Sequence, residues 1–216
     1  MPEAMFAELL AHPGVEERCE LAGRFGFLAF HGGSLEVGTD VIADAAARRS
    51  GASLYVVRQP DDLRWHVPSV EFDPEVSPAL ARFTAHVDVG VAVHGYGREN
   101  MFTTLLLGGR NRWLAARLKT ALETRLGDGF VAMDDLDLVP ELLRGQHPLN
   151  PVNRLREAGV QLELPPRVRP GTGAPTYRPE FEAAVVAALV AAARATRSES
   201  PPPAPARGGR SSPPAS

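Results

Sequence analysis

The chain has 216 residues, 44% of them hydrophobic and 23% charged, which is ordinary material for one globular domain with its own core. A net charge of −3 supplies neither the basic field that nucleic acid requires nor a polybasic patch for a membrane surface. Cys19 is the single cysteine, so an intrachain disulfide and a Cys-rich metal site are both excluded, and any metal must be held by His, Asp and Glu.

Residues 2–11 read as a short amphipathic helix, with Met5, Leu9 and Leu10 on one side and His12-Pro13-Gly14 stopping it. Residues 15–22 are expected to add a helical turn or two. The apolar run Phe25 to Phe30 reads as a buried strand. Thr39 is the expected N-cap of a helix carrying Val41, Ile42 and Ala45, and Gly51 ends it. Residues 53–57 form a second strand, Pro60-Asp61-Asp62 a turn, and Trp65 to Val70 a short edge segment broken by Pro68. A helix over 78–83 precedes the strand 87–93, whose near-continuous apolar character suits a central parallel position. Residues 102–107 are a further strand. Leu114, Leu118, Ala121 and Leu122 mark a helix closed by Gly127. Residues 134–151 read as a long functional loop around a short helix, 160–164 as an alternating strand, 167–177 as a Pro/Gly-rich loop, and 181–196 as an Ala-rich helix. Alternating strands and helices point to an α/β fold, a three-layer sandwich with a mixed, mostly parallel central sheet. No apolar run approaches the roughly 18 residues that span a bilayer, and the N-terminus has no basic segment followed by an apolar core; a cytoplasmic monomer is the expectation.

The chemistry centres on Phe25 to Thr39. A strand ends in His31, Gly32 and Gly33 follow, and Glu36 lies five residues on. Ligands of open α/β sheets bind beyond the carboxyl ends of the strands. His31 and Glu36 are therefore either metal ligands or a strand-ending histidine and a solvated acid. A second strand ends in His94-Gly95; His94 is a third ligand or a buried core imidazole. Together His31, Glu36 and His94 would form a His₂-Glu set, the ligand type of catalytic zinc sites that leave a position for water. Glu163, within Gly159 to Leu164, either faces outward on an amphipathic strand or serves as general base beside such a water. Arg154 offers a bidentate fork for a substrate carboxylate with Asn153 beside it, unless the pair is simply a surface turn. His66 is a substrate contact or a half-buried neighbour of Trp65. His12, His86 and His147 carry no assignment, although His147 is close enough to the Asn153-Arg154 loop to reach a pocket rim. Asp134, Asp135 and Asp137 lack the glycine turn of a calcium loop, Cys19 is remote from any histidine motif, and no serine-hydrolase or phosphate-loop motif is present.

The ordered set His31-Gly32-Gly33-x-x-Glu36-x-Gly38-Thr39, His94-Gly95, Asn150-Pro151-x-Asn153-Arg154 and Gly159-Val160-Gln161-Leu162-Glu163 resembles the poly-γ-glutamate hydrolases, small zinc enzymes related to the metallocarboxypeptidase fold. Weaker echoes lie at Trp65 to Pro74 and Thr104 to Gly109, and the resemblance covers about residues 24–170. It implies zinc held by His31, Glu36 and His94, Glu163 as the catalytic glutamate, Asn153 and Arg154 on a substrate carboxylate, and a small-molecule or polymeric γ-glutamyl substrate. It also implies no nucleic-acid or membrane partner. Zinc amidohydrolases of other acylated amino acids, or a silent carboxylate-binding protein, are the alternative functions. Ser34, Val37 and Tyr96 depart from the family pattern, and Tyr96 is expected to line the pocket. The resulting layout is a helical extension over 1–23, a zinc hydrolase domain over 24–197 and a disordered Pro/Ser/Gly-rich tail over 198–216.

Overall fold

A computed structural model describes residues 2–198. Helix α1 (Pro2–Ala11) leads into strand β1 (Glu16–Glu20), β2 (Phe25–Gly33), α2 (Thr39–Ser50), β3 (Ser53–Gln59), α3 (Pro78–His86) and β4 (Val89–Gly95). Then come β5 (Thr104–Leu107), α4 (Arg112–Leu126), β6 (Val131–Met133), the single turn α5 (Pro151–Arg154), β7 (Gly159–Leu164) and α6 (Pro179–Ser198). The tail expected from residue 198 lies outside the described residues, apart from Ser198 at the end of α6.

Among the described residues the strands form one seven-stranded sheet in the order β1-β3-β2-β4-β7-β5-β6. β1 is antiparallel to β3 and β5 to β7, while the other neighbouring pairs are parallel, as expected for a mixed, mostly parallel sheet. Strand alternation divides the core. Phe25, Phe27 and Ala29 of β2 join Val91, Val93, Val160 and Leu162 beneath α2, α4 and α6. Leu28 and Phe30 point the other way and pack with Phe6 and Leu9 of α1, Leu80 and Phe83 of α3, and Val152 of α5. Each fully buried aromatic or aliphatic side chain adds about 1.5–3 kcal/mol to this three-layer packing.

Three local expectations are corrected and one strand is added. Residues 16–20 are not helical but an edge strand, and their run of charges is what a solvent-facing sheet edge carries to discourage further pairing. Residues 131–133, between the helix closed by Gly127 and the loop expected from residue 134, form a short strand at the other edge of the sheet. Gly38, in the left-handed region, occupies the N-cap of α2; Thr39 is its first helical residue and donates its hydroxyl back to the Glu36 carbonyl at 2.8 Å. Trp65 to Val70 is not a strand. Instead the buried Gln59 amide serves both backbone groups of Trp65, at 2.8 Å each, and a 3₁₀ turn follows at Ser69–Glu71.

Candidate metal centre

The parallel strands β2, β4 and β7 end at one side of the sheet, and the polar residues they deliver form the floor of a cleft of about 1020 Å³. β2 contains a bulge: Ala29 pairs with Val56, but Gly32 pairs with Arg58, so one extra residue is accommodated between them. Strict alternation would turn His31 to the face of Ala29. The bulge re-aims it to the opposite face, where its ring packs 5.8 Å from Phe72 and 5.1 Å from His94.

The following loop returns Glu36 to His31, with the Glu36 amide donating to the His31 carbonyl at 2.8 Å. The Glu36 carboxylate then sits between the two histidines. Its Oε1 is 2.7 Å from His31 Nδ1, and its Oε2 is 3.3 Å from His94 Nδ1 and accepts from the Gly95 amide at 2.9 Å. His31 Nε2 is 2.8 Å from the Val67 carbonyl, which can only accept, so Nε2 carries a hydrogen and a neutral ring presents the Nδ1 lone pair to Glu36. A lone pair and a carboxylate oxygen at that separation require a proton or a cation between them. His94 is 2% exposed, and its Nε2 is buried without a hydrogen-bond partner among the described residues. Two imidazoles and a carboxylate are a donor set that suits zinc. His31, Glu36 and the exposed His66 bring one donor atom each to within 4.8 Å of one another, a trio in which His66 stands in place of His94.

Burial pushes the Glu36 carboxyl up, but His31 and His94 outweigh it and hold the group well below the usual carboxylate range. Burial alone would lower His94; the Glu36 carboxylate reverses that and raises it. Glu163, 3% exposed, pairs in register with His94 across β4 and β7, so both side chains share a face. Burial raises its carboxyl, opposed chiefly by His94. His66 is lowered by burial and by the neighbouring His31.

Arg169 is a residue the sequence reading missed. Its buried guanidinium donates to the carbonyls of Val37 at 2.8 Å and Tyr96 at 3.3 Å, tying the Glu36 loop to the end of β4. The approach passes over Gly95, where a Cβ would fall 2.5 Å from Arg169 Nη1. Gly95→Ala is therefore expected to destabilise the fold by about 1–3 kcal/mol through overpacking, measured by denaturant unfolding.

The family model of poly-gamma-glutamate hydrolase matches residues 6–172, most of the chain and all the residues just described. This chain belongs to the poly-gamma-glutamate hydrolase family. Family membership makes it a hydrolase and implies a polymeric γ-glutamyl substrate. No curated protein matches it in sequence. In fold it is similar to a bacteriophage poly-gamma-glutamate hydrolase, with a TM-score of 0.72 and 22% identity over 92% of this chain and 98% of the other. It is also similar to a structure described as zinc-free apo YNDL, with a TM-score of 0.68 and 21% identity over 84% of this chain and 90% of that one. A metallo-carboxypeptidase from Pseudomonas aeruginosa matches at a TM-score of 0.51 and 16% identity, over 90% of this chain and 68% of its own. Among the described residues no helix is long and apolar enough to cross a membrane.

For a poly-gamma-glutamate hydrolase, three expected substrate contacts lie away from the cleft. Asn153 spends its amide on the carbonyls of Gly145 and His147, at 2.7 and 2.9 Å, and accepts from the Arg110 amide, which staples the loop. Arg154, beyond the cleft walls, pairs with Asp73 at 3.2 Å. Tyr96 is buried against Leu106 and Val139, and its hydroxyl, which a buried phenol must pair, meets the carbonyls of Met101 and Thr104 at 2.8 and 2.6 Å. His66 does line the cleft, as do His147, Arg144, Asn150 and Gln161. The signal for Gln161 was its place two residues before Glu163, on the same strand face; Arg144 and Arg169 leave no pattern in the sequence.

Proposed function

We propose that this chain is a zinc-dependent hydrolase that cleaves γ-glutamyl amide bonds of poly-γ-glutamate or a closely related carboxylate-bearing substrate. What carries the reading is the convergence of His31 Nδ1 and His94 Nδ1 on one Glu36 carboxylate at the floor of a large cleft, with Glu163 one strand away. His31, Glu36 and His94 would hold the ion. His94 is preferred to His66 because it is buried, anchored on a strand and already against Glu36, whereas His66 is exposed on a loop. Zinc bound there would supply a Lewis acid for the amide carbonyl and a lowered pKa for water. Glu163 takes the proton from the attacking water as its oxygen bonds to the carbonyl carbon, and returns it to the leaving nitrogen as the C–N bond breaks.

A substrate carboxylate falls to Arg144, the one guanidinium lining this cleft among the described residues. Arg144 is half-buried on the cleft, with its Nε donated to the Val139 carbonyl at 2.9 Å and no carboxylate paired with it among the described residues. Arg144→Ala is expected to raise KM about tenfold or more, the worth of a charged hydrogen bond. Arg154→Ala, which removes only a half-exposed surface pair, should leave KM unchanged and cost under about 1 kcal/mol of stability. Steady-state kinetics of the two variants checks both.

The function itself is tested by incubating the zinc-loaded protein with γ-linked and α-linked polyglutamate and counting the amines released. Cleavage of the γ-linked polymer, abolished by a chelator and restored by zinc, is the expected result. Hydrolysis of neither polymer would overturn the proposal.

A further inference from the structure

We propose that Asn150 and Gln161 form a one-way hydrogen-bond relay that decides which oxygen of Glu163 faces the cleft, making both positioning residues for hydrolysis. The inference rests on Glu163 being the general base. It is carried by a chain of hydrogen bonds whose direction is fixed at its far end.

The far end is the backbone. Asn150 is the N-cap of α5, and its Oδ1 accepts the otherwise unpaired amide of Val152 at 3.3 Å. A backbone N–H can only donate, so the oxygen of the Asn150 amide is committed and its nitrogen must face the other way. That Nδ2 donates to Gln161 Oε1 at 2.7 Å. With its oxygen taken, Gln161 can offer only Nε2 to its strand neighbour, and it donates to Glu163 Oε1 at 2.8 Å. Glu163 Oε2 is left as the oxygen free for proton transfer.

All three side chains are buried, at 2%, 6% and 3% exposure, and water does not readily replace any link. Packing holds the middle one in place. Gly145, with φ +57°, presses so closely on Gln161 that a Cβ there would lie 2.4 Å from Gln161 Oε1. The loop carrying Gly145 is in turn held by Asn153, through the carbonyls of Gly145 and His147. This gives the Asn153 of the sequence motif a function in the same apparatus, two steps removed from substrate.

The relay has a polarity that a single substitution can reverse. Asn150→Asp keeps the acceptor for Val152 and nearly the same volume but has no amide to give. Gln161 must then turn its Nε2 to residue 150 and its Oε1 to Glu163, setting a carbonyl against a carboxylate. Gln161→Met removes the donor while filling the space. In the zinc-loaded protein both variants are expected to lower kcat about 10–100-fold, the range of outer-shell partners. KM and zinc content should stay at wild-type values, while the melting temperature falls because each variant leaves a buried polar group unpaired. A merely structural role would lower the melting temperature in the same way but leave kcat per folded molecule alone.

Wild-type kcat in both folded variants would overturn the relay. Should Asn150→Asp fail to fold, Gln161→Met decides by the same readings. Glu163→Gln in the same assay separates the two ways of failing. An inactive Glu163→Gln beside fully active relay variants refutes the relay alone, and an active Glu163→Gln refutes the base on which it rests.

Discussion

Glu163→Gln is expected to lower kcat by about 10²–10⁴-fold, the usual contribution of a positioned acid–base group, with bound zinc retained. The amide is isosteric and keeps an oxygen for Gln161, so the cleft wall is preserved. What disappears is the ability to accept a proton from water and pass it to the leaving nitrogen. Folding should not suffer. Burial already disfavours the charged form of Glu163, so a neutral side chain relieves a cost, and the melting temperature is expected to stay equal or rise. A variant that loses activity by losing its metal or its fold would refute this role.

Glu36→Gln is expected to fail differently. Its oxygen can still accept from the Gly95 amide, so the local turn survives, but the charge facing His31 and His94 is gone. Outer-shell partners of a metal typically account for 10–100-fold, and losing a direct ligand should exceed that, giving a drop of more than about 100-fold in activity together with loss of bound zinc. Parallel zinc analysis and kinetics of the two variants distinguish the roles: one keeps the ion and loses turnover, the other loses both.

The parts of this arrangement legible in the sequence are those that short-range rules govern. An apolar run ending in His-Gly announces a strand delivering a side chain to a sheet end, and it does so twice, at His31 and His94. The alternation of Val160, Leu162 and Leu164 against Gln161 and Glu163 separates core from cleft on β7. What lay hidden depends on distant partners. The bulge that turns His31 toward His94 arises from pairing with β3, and nothing in residues 25–33 alone requires it. β1 is a strand because an edge of β3 was open to it; its charged residues have little intrinsic preference for that state. Arg154 looked like a carboxylate clamp, but whether an arginine meets a substrate or Asp73, 81 residues earlier, is a matter of tertiary placement. Tyr96 likewise is held inward by the backbone carbonyls of Met101 and of Thr104 at the start of β5.

The most direct test of the metal centre is the zinc content of the purified protein, wild type beside His94→Ala and His66→Ala, by mass spectrometry after incubation with zinc. The account predicts close to one zinc per chain in wild type and His66→Ala, and almost none in His94→Ala. No zinc in wild type, or loss in His66→Ala with retention in His94→Ala, would contradict it.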